Sequence, residues 1–249
     1  MEPTISFFNC VSTKKKATEE TLKNLRDLYP KAYIMLACDA CESYMDLCEK
    51  YNCEYFHSMS KLGYPVQPIG YTIEGAIDWM TRFYLAALRC GTSHIMMMED
   101  DIVLTRKLTI DPNAHLMCIP VDPTSLQPES RLPPVLMDLI YQFSGKYPNV
   151  DWYAGGGGAI FKTSTIIDHY PEIIKFFKTT GRIIQNHVYP TIGWIDCFMA
   201  LYIFLAGKDM VNNPNMTQLY NCHSVEDYDK AYHDLKDKYE IIAHYKKYY

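Results

Sequence analysis

Short strand-like and helix-like segments alternate over the first part of the chain, and this alternation constrains the fold more than any other sequence feature. Strands are predicted at Ile5–Val11, Ala32–Ala37 and Cys53–His57, where short runs of apolar and aromatic residues are bounded by polar or turn residues. Helices are predicted between them, at Thr18–Leu28 and Cys41–Tyr51. Strands that alternate with helices form a mainly parallel sheet covered by helices. The sequence therefore predicts an α/β fold.

A longer amphipathic helix leads into an apolar strand that ends in consecutive carboxylates. The helix is predicted from apolar residues with helical spacing, which are Ile73, Ile77, Met80, Tyr84 and Leu88. The apolar run Ile95–Met98 follows and indicates a fully buried strand, and Glu99, Asp100 and Asp101 come directly after it. Ligands bind beyond the carboxyl ends of strands in open α/β sheets, and clustered acids are tolerated where a cation lies among them. The pattern favours a Mg²⁺ or Mn²⁺ site over a solvated acidic turn.

The second half of the sequence is less regular. Six prolines between Asp111 and Pro134 predict loop with short strand pieces. Four consecutive glycines, Gly155–Gly158, predict a tight turn where the backbone can approach a ligand closely. The other predicted elements are a helix at Val135–Phe143, a strand at Ala159–Lys162, a helix interrupted near Pro171 that ends near Lys178, an apolar helix from Asp196 to Gly207, and a strand at Ile241–Ala243.

The composition excludes several classes of protein. A net charge of -5 argues against a nucleic-acid-binding protein, which needs a basic surface. No apolar run approaches the ~20 residues that span a bilayer, and Met1–Thr4 does not begin a signal peptide, so we expect a soluble cytoplasmic protein. The nine cysteines are an odd number, which indicates a reducing compartment. The most closely spaced cysteines fit core positions better than a zinc site, and they are Cys38, Cys41, Cys48 and Cys53.

The strand that ends in Glu99, Asp100 and Asp101, with the long helix before it and the glycine turn and a late histidine after it, resembles the DxD region of GT-A-fold glycosyltransferases. The resemblance covers most of the chain, and Glu99 replaces the first Asp of the motif. By position it implies that Asp101 is the main metal ligand, that Glu99 contacts the ribose, and that Asp100 belongs to the same donor site. The implied cofactors are Mn²⁺ or Mg²⁺ and a nucleotide-sugar donor, either a UDP-sugar or a GDP-sugar.

The same resemblance implies further contacts to the donor. Asp39, after the second strand, is expected at the base, and Arg82, on the long helix, at the diphosphate. Gly156 and Gly157 are expected against the donor sugar, and Lys246 at the phosphates. The structural alternatives are a loop acid for Asp39, a surface arginine for Arg82, a plain tight turn for the two glycines and a solvated lysine for Lys246.

Two histidines and one aspartate complete the implied site. His244 and His223 are competing candidates for a further metal ligand, and a purely structural role is the alternative for each. Asp196 is implied as the general base that takes the proton from the acceptor hydroxyl, which would give inversion at the anomeric carbon. A helix N-cap is the alternative role for Asp196.

The resemblance therefore implies a single GT-A domain over residues 1–249, with a nucleotide-sugar-binding half at 1–104 and an acceptor-side half at 105–249. The expected activity is transfer of a sugar to a hydroxyl group of a glycan, lipid or glycoprotein, as in soluble enzymes of bacteria or large DNA viruses. One alternative is a sugar-nucleotide nucleotidyltransferase, although the loop Ser12–Lys16 lacks the glycines of that class. The other is a carbohydrate-binding domain without catalytic activity.

Overall fold

The computed structural model describes residues 4–11, 14–39, 43–58, 73–118, 134–147, 157–187, 194–208, 210–219 and 221–248. Two sheets are described, and their strands are β1 (Ile5–Val11), β2 (Ile34–Asp39), β3 (Glu54–Ser58), β4 (His94–Met98), β5 (Val103–Leu104), β6 (Leu116–Cys118), β7 (Ile160–Lys162), β8 (Val211–Asn212), β9 (Met216–Gln218) and β10 (Ile241–Ala243). The large sheet has the order β3-β2-β1-β4-β7-β6-β8, and the small sheet has the order β5-β10-β9.

Most neighbours in the large sheet are parallel. β1 is parallel to both β2 and β4, and β2 is parallel to β3. β7 is the exception, because it runs antiparallel to its neighbours β4 and β6. This mixed, mainly parallel sheet confirms the predicted α/β class. It also brings the carboxyl ends of β1 to β4 to one edge, where ligands bind in open sheets of this kind.

β4 is buried on both faces, as its apolar sequence predicts. All five of its residues are buried. Ile95 and Met97 pack into the larger hydrophobic core on one face of the sheet, and Met96 and Met98 pack into a second core on the other face. Each such side chain contributes roughly 1.5–3 kcal/mol by leaving water. The strand that carries the acidic residues is therefore held firmly at the centre of the sheet.

Helices cover both faces of the sheet. The described helices are α1 (Lys15–Leu28), α2 (Met45–Tyr51), α3 (Ile73–Cys90), α4 (Pro134–Ser144), α5 (Thr163–His187), α6 (Trp194–Leu205) and α7 (Val225–Leu235), and α7 contributes no residue to either hydrophobic core. α3 to α6 supply the larger core, while α1 and α2 supply the second core. In the part of the chain that the structure describes, no helix combines the length and the apolar character needed to cross a bilayer.

α5 differs most from the prediction. The expected interruption near Pro171 and the expected end near Lys178 are both wrong, because the helix continues to His187. A proline inside a helix costs about 3 kcal/mol, since it removes a donor and clashes with the preceding turn. Ile173, Phe176 and Phe177 follow the proline and are buried in the larger core. The burial of these three side chains outweighs the cost of the proline.

α6 also begins earlier than expected. Its first residue is Trp194, so the N-cap role considered for Asp196 is wrong, and Asp196 lies in the first helical turn. An acid is favourable throughout the first turn of a helix, and its presence therefore does not fix the starting residue. The other end is at Leu205, two residues before the predicted Gly207, which has a φ of +66° and donates its N–H to the carbonyl of Phe204 at 3.0 Å. This is a glycine-terminated helix end.

Candidate functional site

The acidic turn after β4 contains one buried carboxylate. Only 5% of Asp101 is exposed. Its Oδ2 lies 3.3 Å from Nδ1 of His244. Its Oδ1 is buried and has no hydrogen-bond partner among the residues that the structure describes. A buried polar atom without a partner costs free energy, so this oxygen marks a place where a ligand would be stabilising.

The small sheet brings His244 to Asp101. β10 pairs antiparallel with β5, and Ile242 lies opposite Val103. The same register, continued by two residues, sets His244 opposite Asp101, and the N–H of Tyr245 donates to the Asp101 carbonyl at 2.7 Å. His244 has a φ of +59°, a conformation that costs a residue with a side chain about 1–2 kcal/mol. Strained backbone of this kind clusters at functional sites.

The glycine turn lies against the side chain of Glu99. A Cβ atom on Gly157 would stand 3.1 Å from Glu99 Oε2 and 2.9 Å from Ile102 Cδ1. The next residue, Gly158, has a φ of +90° and donates its N–H to the carbonyl of Met97 at 2.9 Å. The end of the turn is therefore fixed to β4, and Gly157 lets the backbone approach the Glu99 carboxylate closely.

The remaining residues of the acidic turn and of the C-terminal segment lie around this pair. Asp100 is in the wall of a cavity between α1 and α7, which Asp101 does not line. Lys246 is exposed and donates its backbone N–H to the carbonyl of His244 at 3.1 Å. Lys247 forms an ion pair with Asp229 of α7. Of the two lysines, Lys246 is thus the one next to the candidate metal ligand.

Arg82 and Asp39 lie at the same edge of the sheet. Arg82 is fully buried, so the surface role considered for it is wrong, and its Nε lies 3.1 Å from Oδ2 of Asp78. The Oγ of Ser58, at the end of β3, is 3.4 Å from the same oxygen. Ser58 pairs in register with Asp39 at the end of β2. The side chain of Asp39 lies outside the described residues, although its position at the strand end is described.

His223 makes no described contact with Asp101 or with His244. His223 is exposed ahead of α7, and its backbone N–H donates to Oδ2 of Asp227 at 3.2 Å, which lowers the pKa of Asp227. Among the described contacts, Asp101 pairs with His244 rather than with His223. Gly156 and the side chain of Asp196 lie outside the residues that the structure describes.

Tyr228 is near the site and was not identified from the sequence. Its ring lies 5.7 Å from that of Tyr245, centroid to centroid. Burial raises the pKa of Tyr228, and nearby Cys222 and Asp101 raise it further. The phenol is therefore protonated at neutral pH and close to Asp101. Tyr228 is one of 21 tyrosines, and no spacing in the sequence distinguishes it from the others.

The pair of Asp101 and His244 fits a divalent cation that is shared with a ligand. Within the described ranges, no three His, Cys, Asp or Glu side chains gather closely enough to hold a metal ion. The pair offers one carboxylate, with its unpartnered oxygen, and one imidazole. A cation with so few protein ligands completes its coordination with water and with substrate phosphates.

Comparison with known proteins identifies the fold. No family model and no curated protein sequence matches the chain. A crystal structure of the galactosyltransferase LgtC in complex with donor and acceptor sugar analogues matches with a TM-score of 0.51 and 12% identity, over 96% of this chain and 86% of that chain. An active-site mutant of LgtC matches over the same shares with a TM-score of 0.52 and 12% identity. The chain therefore has the fold of these proteins, and the predicted GT-A fold is confirmed.

A third match is more distant. The mannosyltransferase PcManGT from Pyrobaculum calidifontis, in complex with GDP-Man and Mn²⁺, has a TM-score of 0.47 and 11% identity, over 86% of this chain and 56% of that chain. This superposition is too poor for a conclusion about the present chain.

Proposed function

We propose that this chain, which has the fold of the galactosyltransferase LgtC, is a glycosyltransferase that uses a nucleotide diphosphate sugar and a divalent metal ion. The observation that carries the proposal is the contact between buried Asp101 and half-buried His244 at the carboxyl edge of the sheet, with one carboxylate oxygen that has no partner among the described residues. The LgtC crystals contain donor and acceptor sugar analogues bound to the same fold, which supports a sugar-transfer role.

The number of protein ligands leads to a specific expectation about binding. Asp101 and His244 cannot fill the coordination shell of Mn²⁺ or Mg²⁺, so we expect water and the donor diphosphate to supply the further oxygens. Metal and nucleotide should therefore each raise the affinity of the protein for the other, by the same factor. When bound, the ion would stabilise the negative charge of the departing diphosphate.

The other residues at this edge are proposed to bind and orient the donor. Glu99 would accept hydrogen bonds from the ribose hydroxyls, and Gly157 keeps space beside it. Arg82, fixed by Asp78, would add positive charge near the diphosphate. Asp39 would contact the base, and its position at the end of β2 supports this role.

Asp196 is proposed as the general base for the acceptor hydroxyl. Its place in the first turn of α6 supports this role, because the helix N-terminus stabilises a carboxylate. If it is the base, Asp196→Asn should keep nucleotide affinity and lose transfer, and the product should have inverted anomeric configuration in its proton NMR spectrum. A retained configuration, or transfer that survives the substitution, would exclude this role. The donor is a UDP- or GDP-sugar, and the acceptor is a glycan, lipid or glycoprotein.

The test of the proposal is calorimetry with UDP, GDP and dTDP, each with and without Mn²⁺. At least one nucleotide should bind more tightly with Mn²⁺, and both Asp101→Asn and His244→Gln should remove that increase. Asp168→Asn, on the exposed side of α5, is the matched control and should keep it. If no nucleotide shows a metal-dependent affinity, the protein is better explained as a carbohydrate-binding domain. Release of pyrophosphate from UTP and a sugar phosphate would instead identify a nucleotidyltransferase.

A further inference from the structure

A cavity of about 350 Å³ lies behind the acidic turn. It is open to solvent on one side and is lined by residues of α1 and α7, by Asp100, Ile102 and Val103, and by Tyr245, Lys247 and Tyr248 of the C-terminal segment. Its volume falls within the range of about 300–1,000 Å³ that is usual for small-ligand sites. Neither the sequence motifs nor the proposed donor site accounts for it.

The backbone separates this cavity from the proposed metal site. Asp100, Ile102 and Tyr245 line the cavity, while Asp101 and His244 contact each other and do not line it. Asp101 thus lies between two residues that line the cavity, and His244 lies next to one. A ligand in the cavity would lie immediately next to Asp101 and His244 and would contact Asp100, which the resemblance assigns to the donor site.

Tyrosine rings form a preassembled wall of the cavity. The ring centroid of Tyr245 lies 5.9 Å from that of Tyr232 and 6.5 Å from that of Tyr248. The ammonium group of Lys247 lies 5.6 Å from the ring of Tyr248 and forms an ion pair with Asp229. These contacts hold the wall in place before any ligand binds, which lowers the ordering cost of binding.

The charges around the cavity exclude one class of ligand. Its wall contains more carboxylates than lysines. The four carboxylates are Glu20, Asp27, Asp100 and Asp229, and the two lysines are Lys23 and Lys247. The excess of negative charge disfavours anions such as nucleoside diphosphates. Carboxylates accept hydrogen bonds from hydroxyl groups, and tyrosine offers an apolar ring face with a polar tip. A ligand with neutral hydroxyls and an apolar C–H face matches this combination.

We propose that the cavity binds a neutral oligosaccharide, with a sugar ring against the tyrosine wall near Tyr232 and hydroxyl groups that donate to Asp27 and Asp229. This second sugar site goes beyond the proposed transfer reaction, since it requires neither metal nor nucleotide. Its place next to Asp101 suits the non-reacting part of a glycan acceptor.

The test uses an array of immobilised neutral and sialylated oligosaccharides. A separate titration with the polycation spermidine tests whether the acidic wall binds a cation instead. The labelled wild-type protein should bind neutral glycans in the presence of EDTA. Tyr232→Ala and Asp27→Asn should each weaken this binding about tenfold, the effect of losing one central contact. Asp27 is exposed on α1, so its substitution is not expected to disturb folding. The matched controls are Tyr147→Ala and Asp168→Asn, which lie outside the cavity and should bind as the wild type does.

Three results would overturn the proposal: no neutral glycan is bound, both cavity variants bind as well as the controls, or only sialylated glycans or spermidine bind. Calorimetry with nucleotide and Mn²⁺ on the same variants separates this proposal from the proposed function. Tyr232→Ala and Asp27→Asn should keep any metal-dependent nucleotide affinity that the wild type shows, whatever happens to their glycan binding.

Discussion

Replacing Asp101 by Asn should make the metal-free protein more stable, even though it removes the proposed metal site. In the absence of a ligand, the Asp101 carboxylate is buried, and one of its oxygens has no partner in the described structure. An amide of the same shape carries no net charge and is cheaper to remove from water. The residue is thus expected to lower stability for the sake of ligand binding, a compromise that is common at functional sites.

The size of the effect can be worked from the contacts. Asn keeps a polar atom at the unpartnered position but removes the charge, and an unpartnered buried group costs about 1–3 kcal/mol when it is neutral and more when it is charged. The hydrogen bond to His244 is long at 3.3 Å, so weakening it should cost at most about 0.5–1.5 kcal/mol. The difference predicts that Asp101→Asn raises the free energy of unfolding by about 1 kcal/mol. In a protein of this size, that corresponds to an increase in Tm of about 2–4 °C.

Differential scanning calorimetry in EDTA measures this difference directly. The comparison is then repeated with Mn²⁺ and the nucleotide that binds most tightly, at a concentration near 100 times the wild-type Kd. The wild type should gain about 2.7 kcal/mol and the variant should gain nothing, so the order of stability reverses. Asp168→Asn should change stability by less than about 0.5 kcal/mol in either condition. An Asp101→Asn protein that is less stable than the wild type in EDTA would refute the reasoning.

Three further predictions concern stability. Gly158→Ala should lower the free energy of unfolding by at least about 2 kcal/mol in denaturant, because φ is +90° and the new Cβ would meet Met216 Cε at 2.5 Å. The control Gly145→Ala, with a φ of +72° and open space around it, should lower it by only about 1 kcal/mol. Equal losses in the two variants would contradict the steric argument. Burial lowers the pKa of His94, so its contribution to stability is complete above the unfolded pKa of about 6.5 and is lost as pH falls through the lower folded value. His94→Gln should flatten the acid side of the stability profile, and an unchanged slope would exclude His94 as its cause. Ser224→Ala removes the side-chain oxygen that accepts a hydrogen bond from the N–H of residue 227 at 3.1 Å, and it should destabilise α7 by about 1 kcal/mol. The amides of residues 225–228 should then exchange faster with solvent. Unchanged exchange would show that the cap does not stabilise the helix.

The sequence predicted the parallel part of the large sheet well because local patterns determine it. The apolar run that ends at Met98 needs burial on both faces, and only a central strand provides this. The position of the acids at the sheet edge follows, since parallel strands end together. The burial of Arg82 did not follow, because its charge indicated a surface position. The helical spacing pairs it with Asp78, but it does not show that this face of α3 is buried.

The small sheet could not be predicted in the same way. β5 has two residues and β9 and β10 have three each, which is too short for a periodic pattern. Their pairing joins segments that are distant in the chain, and it is this register that sets His244 opposite Asp101. For the same reason the sequence could not decide between His244 and His223. Tyr228 was missed because its proximity to Asp101 depends on the packing of α7.

The pairing of Asp101 with His244 has a consequence for the order in which the protein acquires its binding ability. The two residues are 143 positions apart, and β10 is the last strand of the small sheet. Contacts over such separations form late in folding, because the intervening chain must first be closed into a loop. A partly synthesised chain could assemble β1 to β4 and still lack the proposed metal pair. Metal and nucleotide would then recognise only a chain in which β10 has paired with β5, and their binding would report that this pairing has formed.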